Sequence, residues 1–209
     1  MNRNWISDAV GPDNPKATPS AFANWVFKSS VPTRYFGSPG VGSNGDYRLE
    51  KKQGTADHRL IDLTIEMKWL RERIGPTSSS DWIKEYVDPH DDAAPSFSAS
   101  KLRVANIPLQ GRPDVVLRHK FDGTVLIIER KTTRRHPQDI PTEGWPNVEA
   151  QLWCYSWIDE YVDATEVLMF GQLWQDRKML NVHFLWKRSD QHHDACCRTW
   201  FERYGGTVE

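Results

Sequence analysis

The sequence predicts an α/β protein in which a mixed sheet is flanked by helices, and three observations carry that expectation. Apolar residues recur at three- and four-residue spacing through Ala56, Leu60, Leu63, Met67, Leu70 and Ile74, as on one face of a long helix. Runs such as TVLIIERK (124–131) and DATEVLMFGQ (164–173) are short and rich in β-branched and large apolar residues, which suits strands. The two kinds of segment alternate in the order helix, three strands, helix, two strands, helix.

With 209 residues the chain can bury a sizeable core in one domain with an irregular appendage. Residues 1–53 are rich in Gly, Pro, Ser and Asn and are expected to wrap the domain, with AFANWVF (21–27) as a short helix. Residues 54–188 form the expected core. Its first helix spans roughly 55–74, with Thr55 as cap, Asp57 in the first turn and Gly75-Pro76 as its stop. The polar, proline-broken segment 76–100 reads as a surface excursion holding one helical turn at Trp82–Val87. Strands follow at 101–109, 112–119 and 124–131, the last two joined by a turn at Phe121-Asp122-Gly123. Asn147 opens a helix to about Tyr161, strands follow at 164–173 and 179–187, and residues 189–209 supply a C-terminal helix (190–204) and tail. Trp69, Trp153 and Trp157 fall on helices expected to cover the sheet.

Charge and cysteine content narrow the classes. Twenty-seven basic residues against 28 acidic ones give a net charge of -1, so any polyanion site has to be local. Cys154, Cys196 and Cys197 cannot form a paired disulfide framework, no apolar stretch reaches the roughly 18 residues of a membrane span, and MNRNWISDAVGPDN lacks a signal-peptide core. The expectation is a soluble, cytoplasmic protein without a membrane partner.

The chemistry concentrates in GRPDVVLRHKFDGTVLIIERKTTRRH (111–136). In a strand Glu129 and Lys131 share a face while Arg130 points away, and antiparallel pairing across the turn brings Asp114 to the same end. Placing such charges after the apolar run VLII is costly unless they find partners. A hard divalent cation, Mg²⁺ or Mn²⁺, suits two carboxylates because water and substrate phosphate complete its shell. Lys131 could then position the nucleophile or stabilise charge in phosphodiester hydrolysis. The alternative is an exposed ion pair at a strand end, which the short pattern alone also permits.

The surrounding constellation adds to this. Pro113-Asp114 before one strand and Glu129-Arg130-Lys131 ending the next resemble the signature of the PD-(D/E)XK nuclease superfamily. QLWCY, with Gln151 and Tyr155 four apart, resembles the Q-x-x-x-Y motif of its RecB-like branch, which includes the exonucleases of CRISPR adaptation, and GTADHRL resembles that branch's glycine-x-x-x-histidine element. The resemblance covers about residues 54–173 and implies a restriction-endonuclease-like α-βββ-α-β core. It implies metal ligation by His58, Asp114, Glu129 and the backbone carbonyl of Arg130, with Asp114, Glu129 and Lys131 as the catalytic set. Gln151 and Tyr155 would contact substrate or buttress the site.

Many such relatives carry four cysteines around an iron-sulfur cluster, the first in a C-P-x-(R/K)-aromatic element. SSVPTRYF (29–36) resembles that element with Val31 in place of the cysteine, so no cluster is expected from the three cysteines present. HHDACC would pair His192 with Cys196 and His193 with Cys197 on a helix, which does not by itself close a tetrahedral zinc site. For substrate, Arg118, Lys120, Arg134 and Arg135 offer phosphate contacts and Trp145 a base contact. The expected function is a metal-dependent deoxyribonuclease, exonuclease-like, binding DNA in processing, repair or defence. The other class is a non-catalytic or partner-activated module of the same fold, working within a larger complex.

Overall fold

The computed structural model describes residues 16–30, 68, 70–72, 74–91, 93–133, 136–140, 144–175 and 178–209. His58, Arg134 and Arg135, the 1–53 segment apart from residues 16–30, and most of the expected helix at 55–74 lie outside the described residues. In chain order the elements are α1 (Pro19–Ser30), β1 (Trp82–Val87), β2 (Phe97–Val104), β3 (Ile107–Gly111), β4 (Val115–His119) and β5 (Val125–Thr132). Then come α2 (Pro146–Tyr155), β6 (Val167–Gln175), β7 (Lys178–Lys187), α3 (Gln191–Tyr204) and β8 (Gly206–Val208).

The β5 run Val125–Ile128 organises the rest. Val125 and Ile127 enter a core shared with α1, α2 and α3, while Leu126 and Ile128 enter a second core with Leu70, Trp82, Leu117 and Phe170. A strand covered on both faces needs apolar residues at every position, and this one has them. It lies at the centre of a five-stranded mixed sheet ordered β1-β4-β5-β6-β7, in which β5 and β6 are parallel and the other pairs antiparallel. α2 makes the crossover between the parallel strands, and Leu70 and Ile74, both helical residues, cover the opposite face. The architecture is therefore α/β with a mixed sheet flanked by helices.

Helix ends follow local chemistry. Thr18 Oγ1 accepts from the Ala21 N–H at 3.2 Å at the start of α1. Pro146 opens α2, where a missing N–H costs nothing. Asp190 caps α3 by accepting from the His192 and His193 N–H groups, and Gly205 ends it with φ 97°.

Three expected elements differ. Trp82–Val87 is an edge strand paired with β4, not a helical turn; its β-forming Ile83, Tyr86 and Val87 show only when β4 is beside them. Residues 101–109 are not one strand, because Ala105 and Asn106 take φ 48° and 65° and fold β2 back on β3. Both residues in the left-handed region make a tight hairpin, and the Ala-Asn pair lacks the glycine that signals one. This hairpin pairs with β8 in a separate three-stranded sheet, so β4 is flanked by β1 and β5. Finally α2 stops at Tyr155: the Ser156 hydroxyl donates to Trp153 O at 2.7 Å, and turns continue in which Ile158 and Tyr161 stay buried at helix-like spacing. No helix among the described residues is long and apolar enough to cross a membrane.

Ile127→Ala should cost about 2–5 kcal/mol in urea unfolding, since the side chain is fully buried. Ile83→Ala, on the exposed edge strand, should stay within about 0.5 kcal/mol. Equal losses would mean that β5 is not the central strand.

Candidate functional site

Register places the acidic pair. One step beyond the Val115–Ile128 pair of β4 and β5 stand Asp114 and Glu129, opposite each other at the end of the sheet away from the Asp122-Gly123 turn. Alternation puts both on the α2 side, together with Lys131. Asp114 Oδ2 accepts from the Arg130 backbone N–H at 2.6 Å, so the loop carboxylate is latched to the strand that carries its partners. The Lys131 ammonium donates to Glu129 Oε1.

Glu129 is 3% exposed, and its second oxygen, Oε2, is buried and has no hydrogen-bond partner among the described residues. Burial, then the charge of Asp114, raises the Glu129 carboxyl to about 8, against the opposing pull of Lys131. For Lys131, burial disfavours the charge, but Glu129 and Asp114 outweigh it and its pKa is raised. A carboxylate that is desolvated, crowded by a second carboxylate and left with one bare oxygen has the donor chemistry of a hard-cation ligand. Asp114 and Glu129 are the described residues that would hold such a cation.

The α2 wall is close. Gly171 of β6 is in register with Glu129, and a Cβ on it would meet Val148 Cγ1 of α2 at 3.0 Å, so glycine lets the helix approach the acidic end. On that helix Gln151 Nε2 donates to the Tyr155 hydroxyl at 2.9 Å, and both side chains are buried. Burial and then the Glu129 charge push the Tyr155 phenol well up, so it stays protonated. Tyr155 is seated by Gly111, where a Cβ would lie 2.7 Å from Pro19 Cγ and 3.0 Å from Tyr155 Cε1.

Of the residues expected at the site, the structure therefore brings together Asp114, Glu129 and Lys131, with Arg130 contributing its amide and the Gln151–Tyr155 pair behind them. Among the described residues it places Arg118, Lys120 and Trp145 elsewhere, while His58, Arg134 and Arg135 lie outside the described residues. Arg118 lies four residues along β4 toward the turn, roughly 13 Å away at about 3.3 Å per residue, and Lys120 is farther. Arg118 is held by a two-pronged ion pair to Glu85, at 2.8 and 3.1 Å, and Lys120 donates to Ser80 O. Trp145 is 9% exposed and belongs to the α2-side core. One residue missed in the sequence is Asp88, whose N–H donates to Asp114 O at 2.9 Å and whose charge also reaches Glu129. Tyr86, His90 and Arg112 surround its carboxylate. The acidic run DPHDD was its signal, but only the β1–β4 pairing sets it beside Asp114.

No protein-family model matches the chain, and no curated protein does. A solved structure described as "Crystal structure of SSO0001" aligns over 90% of this chain and 75% of its own, at 11% identity and a TM-score of 0.39. Similarity at that level carries no inference about chemistry.

The electrostatics have a pH signature. A carboxyl raised from 4.5 to about 8 stabilises the fold below its unfolded value, and that contribution is lost as pH climbs through the folded one. With chelator present, the wild-type Tm should therefore fall relative to that of Glu129→Gln between about pH 4.5 and 8. Parallel pH profiles for the two proteins would show that Glu129 is not desolvated.

Proposed function

We propose that this protein is a metal-dependent deoxyribonuclease built on a restriction-endonuclease-like core of the RecB-like kind. The observation that carries the reading is the bare, buried Oε2 of Glu129, opposite Asp114 and beside Lys131. Strand order supports it as well: an antiparallel β1-β4-β5 meander, a crossing helix and a parallel β6 follow the α-βββ-α-β plan once β2 and β3 are treated as an inserted hairpin.

Asp114 and Glu129 would hold Mg²⁺ or Mn²⁺, and His58 and the Arg130 carbonyl are the further ligands that the motif resemblance implies. Such a cation supplies Lewis-acid stabilisation of a phosphoryl group and activates water for attack. The chain's own groups do the rest. The Arg130 N–H holds Asp114 through Oδ2 and so fixes its carboxylate against the strand that carries Glu129 and Lys131. Lys131, held by Glu129 beside the two carboxylates, would offer its ammonium to a phosphoryl oxygen as negative charge grows there. In the hydrolysis a water oxygen bonds to phosphorus, the bond to the leaving sugar oxygen breaks, and that oxygen takes up a proton. Tyr155, neutral and fixed by Gln151, stands near enough to the carboxylates to feel their charge and lines the α2 side of the site. Arg134 and Arg135, just beyond β5, are the proposed phosphate contacts on DNA, with action in DNA processing or defence.

End-labelled single- and double-stranded DNA should be degraded with Mg²⁺ or Mn²⁺ and left intact with chelator. Lys131→Ala should lower the rate by about 10²–10³-fold with DNA affinity little changed. Equal cleavage by both proteins would assign the activity to a contaminant, and binding without cleavage by either would replace the enzyme with a binding module. Arg118→Ala and Lys120→Ala, at the far end of the sheet, should leave cleavage nearly unaltered.

A further inference from the structure

A second group of ligating side chains sits between α2 and α3, outside the acidic site. Glu149 lies in the first turn of α2, while His193 and Cys197 lie four apart on one face of α3. Their donor atoms fall within 4.8 Å of one another. His193 Nδ1 is 2.7 Å from Glu149 Oε1 and 3.8 Å from Cys197 Sγ, so oxygen and sulfur converge on one nitrogen. We propose that Glu149, His193 and Cys197 form a structural site for a borderline-soft divalent cation, zinc by its chemistry, pinning the C-terminal helix to α2.

The spacing fits. Tetrahedral zinc, with bonds of about 2.3 Å to sulfur and 2.0 Å to nitrogen and oxygen, sets its sulfur and nitrogen ligands roughly 3.6 Å apart and nitrogen and oxygen roughly 3.3 Å apart. The sulfur–nitrogen side is near that length already, and opening the Glu149–His193 contact by about 0.6 Å brings the second side to it, with all three donor atoms within 4.8 Å of one another. A His–Glu ion pair would account for two of the three groups, but it has no need of a thiol on the same nitrogen.

The donors are also preorganised. Asp190 fixes the first turn of α3 through the His193 N–H, and Trp186 stacks on the imidazole at 6.0 Å and 15°. The ring's other nitrogen, Nε2, is buried and has no hydrogen-bond partner among the described residues, so the imidazole is held there from the Nδ1 side. Beside the site, Trp153 Nε1 donates to Asp194 Oδ1 at 3.1 Å, a second tie between the same helices. Cys197 is fully buried, His193 nearly so, and Glu149 is the partly open member, so water on the Glu149 side would fill the fourth position. A mixed sulfur, nitrogen and oxygen set selects zinc over magnesium, which prefers oxygen throughout.

The test uses cobalt as the reporter, on full-length protein stripped with chelator. Titrated Co²⁺ should give a thiolate-to-cobalt charge-transfer band with the intense visible bands of tetrahedral cobalt, bleached by Zn²⁺ but not by Mg²⁺. The band should persist in Cys196→Ser and in the Asp114→Asn/Glu129→Gln double variant, and vanish in Cys197→Ser. Glu149→Gln keeps the thiol and should keep the band while weakening cobalt affinity by about tenfold or more, which covers the case of a Cys197 variant that fails to fold. No charge-transfer band in the wild type, or an unchanged band in a folded Cys197→Ser protein, would overturn the assignment. Neither outcome bears on nuclease activity, because the acidic site has no sulfur.

Discussion

Burial of β5 on both faces is the constraint from which the rest of the molecule follows. A strand enclosed between two cores gives every side chain a water-poor setting, and the apolar run Val125–Ile128 meets that demand. The chain then places Glu129 in the same layer, where an ionised carboxylate is disfavoured unless neighbours compensate it. Lys131 satisfies one oxygen, and the other is left bare. Meanwhile the Arg130 amide is committed to Asp114, which draws a second negative charge to the first. A carboxyl in this position is relieved by holding its proton to higher pH, which is why its pKa is raised to about 8, or by a compensating positive charge.

The surrounding elements serve this end of the sheet in different ways. Gly171 and Gly111 remove side chains where α2 and Tyr155 must come close, so the helix wall stands directly behind the carboxylates. β1 contributes less by burial than by position: its exposed edge is clamped to β4 through Glu85 and Arg118, and its end delivers Asp88 to Asp114. Positive charge is thereby divided. The hairpin-turn cluster of Arg118, His119 and Lys120 is used up in contacts with Glu85, Asp122 and Ser80, which makes it part of the scaffold.

α2 joins the two clusters of ligating groups. Its sheet-facing side carries Gln151 and Tyr155 toward the acidic site, and its first turn carries Glu149 toward the nitrogen and sulfur donors of α3. Because the helix is only ten residues long and ends at Tyr155, a shift at one end would reach the other with little loss. The C-terminal helix, ended by its glycine cap, continues into β8, which pairs with β2 in the second sheet.

What the sequence determined by itself was whatever depends on neighbours along the chain. Period-two alternation and the Asp122-Gly123 turn were enough to put Asp114, Glu129 and Lys131 at one end of one face, and apolar runs were enough to mark β5 and β6. The tertiary structure decided whatever depends on pairing across long stretches of chain. Trp82–Val87 became a strand only beside β4, the Ala105-Asn106 turn split an apparent strand, and Ser156 ended a helix whose apolar spacing continues in turns. For the same reason the basic residues of the turn looked near the carboxylates in sequence and lie at the opposite end of the sheet. Asp88 and Glu149, unremarkable in sequence, acquire their roles because folding sets them against residues 26 and 44 positions away. Hydrophobic patterning reports the face a residue occupies; the partner it meets there is a property of the assembled sheet and helices.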